Sequence, residues 1–197
     1  MAAVGGKQKS SLSFFLFLDL DGKNNNNNSY LFFCRASLEA LSRLVGRGFY
    51  PRPSILHVHD WQARAAAMLY WHLYAKPGSG SALAEASSSS SSSSLASVVL
   101  TIHNFDSSGE CRQDEFAATG VDGSAFATID RALDERTIGH NPERLCLLKG
   151  GLVYSNAVTT VSPSYAAEAL RGGAAGWLRG TLARPDVAAK FSGVVRS

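Results

Sequence analysis

Nine residues constrain this chain more than any others: Ser54-Ile55-Leu56-His57-Val58-His59-Asp60-Trp61-Gln62. Ile55, Leu56 and Val58 favour a strand, and Pro51 and Pro53 fence it on the N-terminal side. Beyond it Ala65, Met68, Leu69 and His72 recur at helical spacing, which predicts a helix over residues 61–75, ended by Pro77-Gly78. A strand that ends in polar residues and passes straight into a helix belongs to an α/β sheet, where ligands sit beyond the carboxyl ends of the strands. His59 and Asp60 lie at that end.

Three chemistries compete for these residues. In the plainest, His57 and His59 are packed or capped, and Asp60 caps the helix that starts at Trp61. In the second, His-x-His places two imidazoles on one face of a strand end, where they could ligate a metal. A metallohydrolase would need further ligands, and no His or Cys follows Asp60 closely enough. In the third, the imidazoles contact a sugar or phosphate. The stretch alone leaves all three open.

The rest of the chain repeats the same unit. Residues 13–18 read as a buried strand closed by Asp21-Gly22, and the Asn run at 24–28 as a polar loop. Leu31, Cys34, Leu38, Leu41 and Val45 predict an amphipathic helix over residues 30–45, stopped by Gly46 and Gly48. Residues 97–102 are apolar and β-branched, the pattern of a strand buried in a parallel sheet, and end in His103-Asn104. Residues 105–143 predict short helices and loops, 145–154 a helix and 157–161 a strand. Ser162-Pro163 then opens a helix with Ser as cap, and residues 171–180 form a Gly-rich loop. Three successive strands thus end in polar groups, at His59-Asp60, His103-Asn104 and Ser162. That layout predicts a Rossmann-like, doubly wound parallel α/β sheet with a crevice along one edge.

Composition narrows the function. Hydrophobic content of 45% and charged content of 18% fit a globular chain, and a formal charge of +3 without basic runs argues against nucleic acid. Cys34, Cys111 and Cys146 are scattered and odd in number, so neither a disulfide framework nor a zinc knuckle is expected, and a reducing compartment is the simpler reading. No segment has the length of a membrane span. Lys7 and Lys9 before apolar residues 12–18 faintly resemble a secretory signal, but Asp19 and Asp21 follow at once and favour a strand.

Several segments in order resemble the starch and glycogen synthases, above all the soluble plastid enzymes. They are Phe32-Phe33-Cys34-Arg35-Ala36-Ser37-Leu38-Glu39, Leu56-His57-Val58-His59-Asp60-Trp61-Gln62 and Leu100-Thr101-Ile102-His103-Asn104. The longest runs from Leu148-Lys149-Gly150-Gly151-Leu152 through Ser162-Pro163-Ser164-Tyr165-Ala166. The resemblance implies part of the N-terminal half of a two-domain, GT-B-type glycosyltransferase. Such an enzyme moves glucose from ADP-glucose to the non-reducing end of an α-1,4-glucan, with no metal or other cofactor. It implies that His59 contacts the transferred glucosyl unit as the catalytic-site residue. The residues themselves offer Asp60, His103 and Asn104 as further substrate contacts, Asp60 from behind while it fixes the strand-to-helix turn with Trp61, and Asn104 with a turn role equally open. His57, Lys149 and Ser162 read as structural, Ser162 as a helix cap. The Gly residues follow Lys149 rather than precede it, so no P-loop is present. Trp71, Tyr74 and Phe105 could stack on glucan rings, though core packing is the plainer expectation.

The expected organisation is an N-terminal segment (1–29), a catalytic-domain fragment (30–193) with a disordered Ser-rich insertion (79–95), and an approach to an interdomain hinge (194–197). The family's Lys-x-Gly-Gly-Leu loop and C-terminal domain have no counterpart here. The chain is therefore expected to be a fragment, inactive alone, from a plastid protein, although no transit peptide is evident. The rival expectation is a non-catalytic glucan-binding or scaffold protein built on the same fold. The unbroken Ser run at 87–94 has nothing to bury. Its deletion should change stability by no more than about 1 kcal/mol, since loop-closure entropy grows only logarithmically; a thermal melt of the deletion variant checks this.

Overall fold

A parallel sheet organises the molecule. The computed structural model describes residues 13–16, 27–84, 95–173 and 175–194. In chain order the strands are β1 (Ser13–Leu16), β2 (Ile55–His59), β3 (Ser97–Ile102), β4 (Glu110–Arg112), β5 (Arg144–Cys146), β6 (Ala157–Thr160) and β7 (Phe191–Gly193). Five of them form one sheet in the order β1-β2-β3-β6-β7, with every neighbouring pair parallel. β4 and β5 form a separate antiparallel ribbon. The fold is the expected parallel α/β class. Among the described strands the order advances in one direction only, so the reversal of a doubly wound sheet does not fall within them.

Register decides which face of the sheet is core. Leu56 and Val58, then Val98, Leu100 and Ile102, then Val158 and Thr160 are buried beneath the helices. The alternate residues His57, Val99, Thr101, Ala157 and Thr159 are only half-buried. β3 is apolar throughout in sequence, yet among the described residues its burial alternates, the mark of a sheet covered on one side.

The helices follow the apolar spacing, with informative departures. Helix α1 spans Asn27–Gly46, burying Leu31, Cys34, Leu38 and Leu41. It begins inside the Asn run expected to be a loop, because apolar periodicity marks only residues that pack and is blind to a polar first turn. The helix expected after β2 is instead three pieces: α2 (Asp60–Ala63), α3 (Ala65–Leu69) and a π-helical turn over Tyr70–Tyr74. Residues 63–70 are buried on every side rather than along one stripe. Short helix α4 (Gln113–Phe116) packs on the ribbon, and α5 (Leu147–Tyr154) follows β5 directly. Ser162 caps α6 (Pro163–Arg171), its hydroxyl accepting from the Tyr165 amide at 3.1 Å, as the Ser-Pro pair predicts.

Three regions differ from the sequence reading. Residues 171–180 are not a loop: after Gly172, at φ 98°, a 3₁₀ turn and α7 (Arg179–Leu182) bury Ala175, Leu178 and Leu182. Their three- and four-residue spacing outweighs the interspersed glycines. After α8 (Pro185–Ala188), residues 191–193 form the edge strand β7, where a Cβ on Gly193 would collide with the Ser162 carbonyl. At the start of the expected insertion, Leu83 and Ala84 are buried and Ser81 meets Ser42 at 3.1 Å between hydroxyls. Residues 17–26 and 85–94, including the rest of the first predicted strand, the Asp21-Gly22 turn and the Ser run, lie outside the described residues.

The Lys149-Gly150-Gly151 segment now has a packing explanation. α3 and α5 touch along their length. A Cβ on Gly150 would fall on Met68 Sδ, and one on Gly151 would lie 3.1 Å from Arg64 Cβ and Cγ. The two glycines let Met68 and the stem of Arg64 lie directly on the α5 backbone. Gly150→Leu should therefore destabilise the protein by about 2–3 kcal/mol through overpacking, read as a lowered midpoint in urea with unchanged m-value.

Candidate active site

β2 alternates its side chains, so His57 and His59 share the half-open face, with ring centroids 4.3 Å apart. His57 Nε2 lies 2.8 Å from Thr101 Oγ1, which lies 2.7 Å from Thr159 Oγ1. A polar row thus crosses three strands. His59 stands at the end of β2, its Nδ1 3.3 Å from His103 Nε2 beyond the end of β3. One of these two nitrogens must carry the proton and the other accept it.

Asp60 does not cap its helix. It adopts φ 52°, a left-handed conformation that Asp tolerates better than most residues, and its Oδ1 accepts the His103 amide at 2.8 Å. The carboxylate therefore ties the end of β2 to the end of β3. Asn104 is exposed and its Oδ1 accepts the Asp106 amide at 3.3 Å, a turn contact that leaves its amide group at the same rim. His59, Asp60, His103 and Asn104 are brought together at one sheet edge. Trp61 is the second residue of α2, and its side chain lies outside the described residues.

Lys149 lies apart from this rim. It is buried in α5, where its ammonium pairs with Glu135 and its amide donates to Cys146 Sγ at 3.3 Å. The three candidate stacking aromatics are in the core. Tyr74 is buried, Trp71 donates to the Tyr154 carbonyl at 2.8 Å, and Phe105 packs on Tyr165 and Phe191. Cys34, Cys111 and Cys146 are free and buried, and burial pushes each thiol up to about 12. Among the described residues, no group of three or more His, Cys, Asp or Glu is arranged to hold a metal ion.

Burial is the main force lowering the imidazole pKa of both His57 and His59, reinforced at His57 by its two histidine neighbours and at His59 by His103. Asp60 opposes this at His59. Both rings therefore favour the neutral form, able to donate through one nitrogen and accept through the other. Sequence reasoning missed Thr101, Thr159 and Arg64. The signal for the threonines was their alternation in step with the histidines across predicted neighbours. For Arg64 it was a lone charge within an Ala-rich helix, and the guanidinium proves fully buried, its Nη1 donating to the Ser107 carbonyl at 3.0 Å.

A one-directional parallel sheet with His59, His103 and Asn104 at its carboxyl edge defines an α/β domain of the kind that places ligands beyond its strand ends. Residues 11–184 match the family described as the starch synthase catalytic domain, and the chain belongs to that family. It is 34% identical over 147 residues to a probable starch synthase 4, chloroplastic/amyloplastic, of Arabidopsis thaliana, covering 75% of this chain and 12% of that one. A glycogen synthase of Protochlamydia amoebophila is 32% identical over 84% of this chain and 28% of its own length. Among solved structures, the catalytic domain of Starch Synthase IV from Arabidopsis thaliana, bound to ADP and acarbose, superposes with a TM-score of 0.68 at 31% identity. That match covers 88% of this chain and 30% of the other. The chain thus spans less than a third of each of these relatives. Among the described residues no helix is long and apolar enough to cross a membrane.

The lowered imidazole pKa values carry a stability consequence. A histidine whose folded pKa is depressed contributes stability that is complete above its unfolded value near 6.5 and lost as pH falls. The melting temperature should therefore drop as pH falls below about 6.5, and His57→Gln should flatten that drop. Thermal melts of both proteins across this range are the check.

Proposed function

We propose that this chain forms the sugar-facing wall of a starch or glycogen synthase cleft, in which glucose passes from ADP-glucose to the non-reducing end of an α-1,4-glucan. The observation that carries the reading is the placement of His59, braced by His103, at the carboxyl edge of the sheet in a chain of this family. The ADP and acarbose bound to the Arabidopsis relative support a nucleotide and a glucan-like ligand for the same cleft.

The chemistry suits the site. Transfer builds positive charge on the sugar ring and negative charge on the departing diphosphate. A neutral imidazole at His59 can hydrogen-bond a sugar hydroxyl without setting a like charge against the ring, where a cation a few ångströms away would oppose the transition state. His103 and the Asn104 amide extend the same hydrogen-bonding rim, and His57 sits one step behind, tied to Thr101. In this reading the protein works in the plastid stroma, supported by its chloroplastic/amyloplastic relative; immunolocalisation tests that part.

The test of the transfer reading is a chimera in which this chain replaces the matching segment of the Arabidopsis enzyme, assayed with ADP-glucose and a glycogen primer. It should incorporate glucose, and His59→Ala should lower turnover by about 10²–10³-fold, the usual effect of losing one positioned group. His57→Ala should lower it far less. Undiminished turnover in His59→Ala would remove His59 from the site. Glucan binding without transfer by the chimera would favour the scaffold reading instead.

A further inference from the structure

Arg64 is the least expected residue in the interior. It is fully buried at the junction of α2 and α3, and among the described residues only Nη1 finds a hydrogen-bond partner, the Ser107 carbonyl at 3.0 Å. Nε and Nη2 have no hydrogen-bond partner among the described residues, and no carboxylate there forms an ion pair with it. Burial drives its pKa down to about 9, against the attraction of Asp60. Withdrawing a guanidinium from water costs several kcal/mol, and one neutral carbonyl does not offset that. An apolar side chain of similar length would fill the space against Gly151 at no such cost. Stability alone does not explain this residue.

Its reach does. Asp60 and Arg64 bracket the short turn α2, close enough for the Asp60 charge to act on the guanidinium. Asp60 Oδ1 takes the amide of His103, and Arg64 Nη1 gives to the carbonyl of Ser107. These two contacts bracket residues 103–107 of the segment that joins β3 to β4. Between them, Asn104 closes its own turn on Asp106, and the Phe105 ring is buried. We propose that Arg64 is a positioning residue which, together with Asp60, clamps residues 103–107 so that His103 and Asn104 stand beside His59. The functional side of this inference rests on the reading of that rim as sugar-facing. A buried, poorly satisfied charge is then the cost of holding a rim loop from inside.

The proposal separates stability from site geometry, and two variants of the chain test it. Arg64→Met keeps the packing and removes the clamp; Arg64→Lys keeps a donor able to reach Ser107. In Arg64→Met the melting temperature should stay level or rise. The His103 amide should exchange with solvent about tenfold faster or more. By NMR, the His59 imidazole should titrate at higher pH, since His103 is held beside it less closely while His57 and Asp60 remain in place. Arg64→Lys should restore both signals in part. If the His103 amide and the His59 titration are unchanged in Arg64→Met, the clamp does not exist. If Arg64→Met melts lower or fails to fold, Arg64 serves stability and the proposal is wrong. Neither readout involves glucosyl transfer, so failure here leaves the transferase reading standing, and the reverse also holds.

Discussion

The contact between α3 and α5 sets the geometry of everything at the sheet edge. Gly150 and Gly151 remove the side chains that would keep the helices apart, so Met68 and the stem of Arg64 lie directly on the α5 backbone. The same closeness roots the segment after β3, because the first amides of α5, at Leu147 and Leu148, donate to the carbonyls of Gly109 and Ser108. One helix pair thereby fixes the base of the loop whose upper part carries His103 and Asn104. A longer side chain at either glycine would displace α3, and with it the helical turn that begins at Asp60.

Electrostatics at the rim point the same way. The half-open face of the sheet carries no charged side chain in the His57, Thr101 and Thr159 row; it is built from groups that both donate and accept. The charged residues that matter, Asp60 and Arg64, are spent on backbone groups and hold the frame. The polar row on that face is thus neutral and built from groups that both donate and accept.

Much of this was readable from residues. The strand ends at His59, His103 and Ser162 were visible because β-branched runs stop abruptly at polar groups, and the Ser162-Pro163 cap carries its own local chemistry. Other features had no local signal. β4, β5 and β7 are three residues each, too short for any period to show, and they exist because partners supply the hydrogen bonds. Asp60 looked like a cap because Asp before a helix usually is one; only the neighbouring strand, far off in sequence, reveals that its carboxylate is committed to His103. The Lys149-Gly150-Gly151 run was recognisable as a motif, but its meaning lay in Met68 and Arg64 across the interface. Fold class is written in periodicity, whereas the division of labour within the rim is written in tertiary contacts.

The three buried thiols give the molecule internal clocks. Cys34 lies in α1, Cys111 in the ribbon strand β4 and Cys146 at the junction of β5 and α5, all protonated and shielded while the chain is folded. An alkylating reagent can reach each only when its own layer opens. Because the sites are spread over the outer helix, the ribbon and the seam behind the rim, the order in which they become modified would time the opening of those three parts separately, with no label added to the protein.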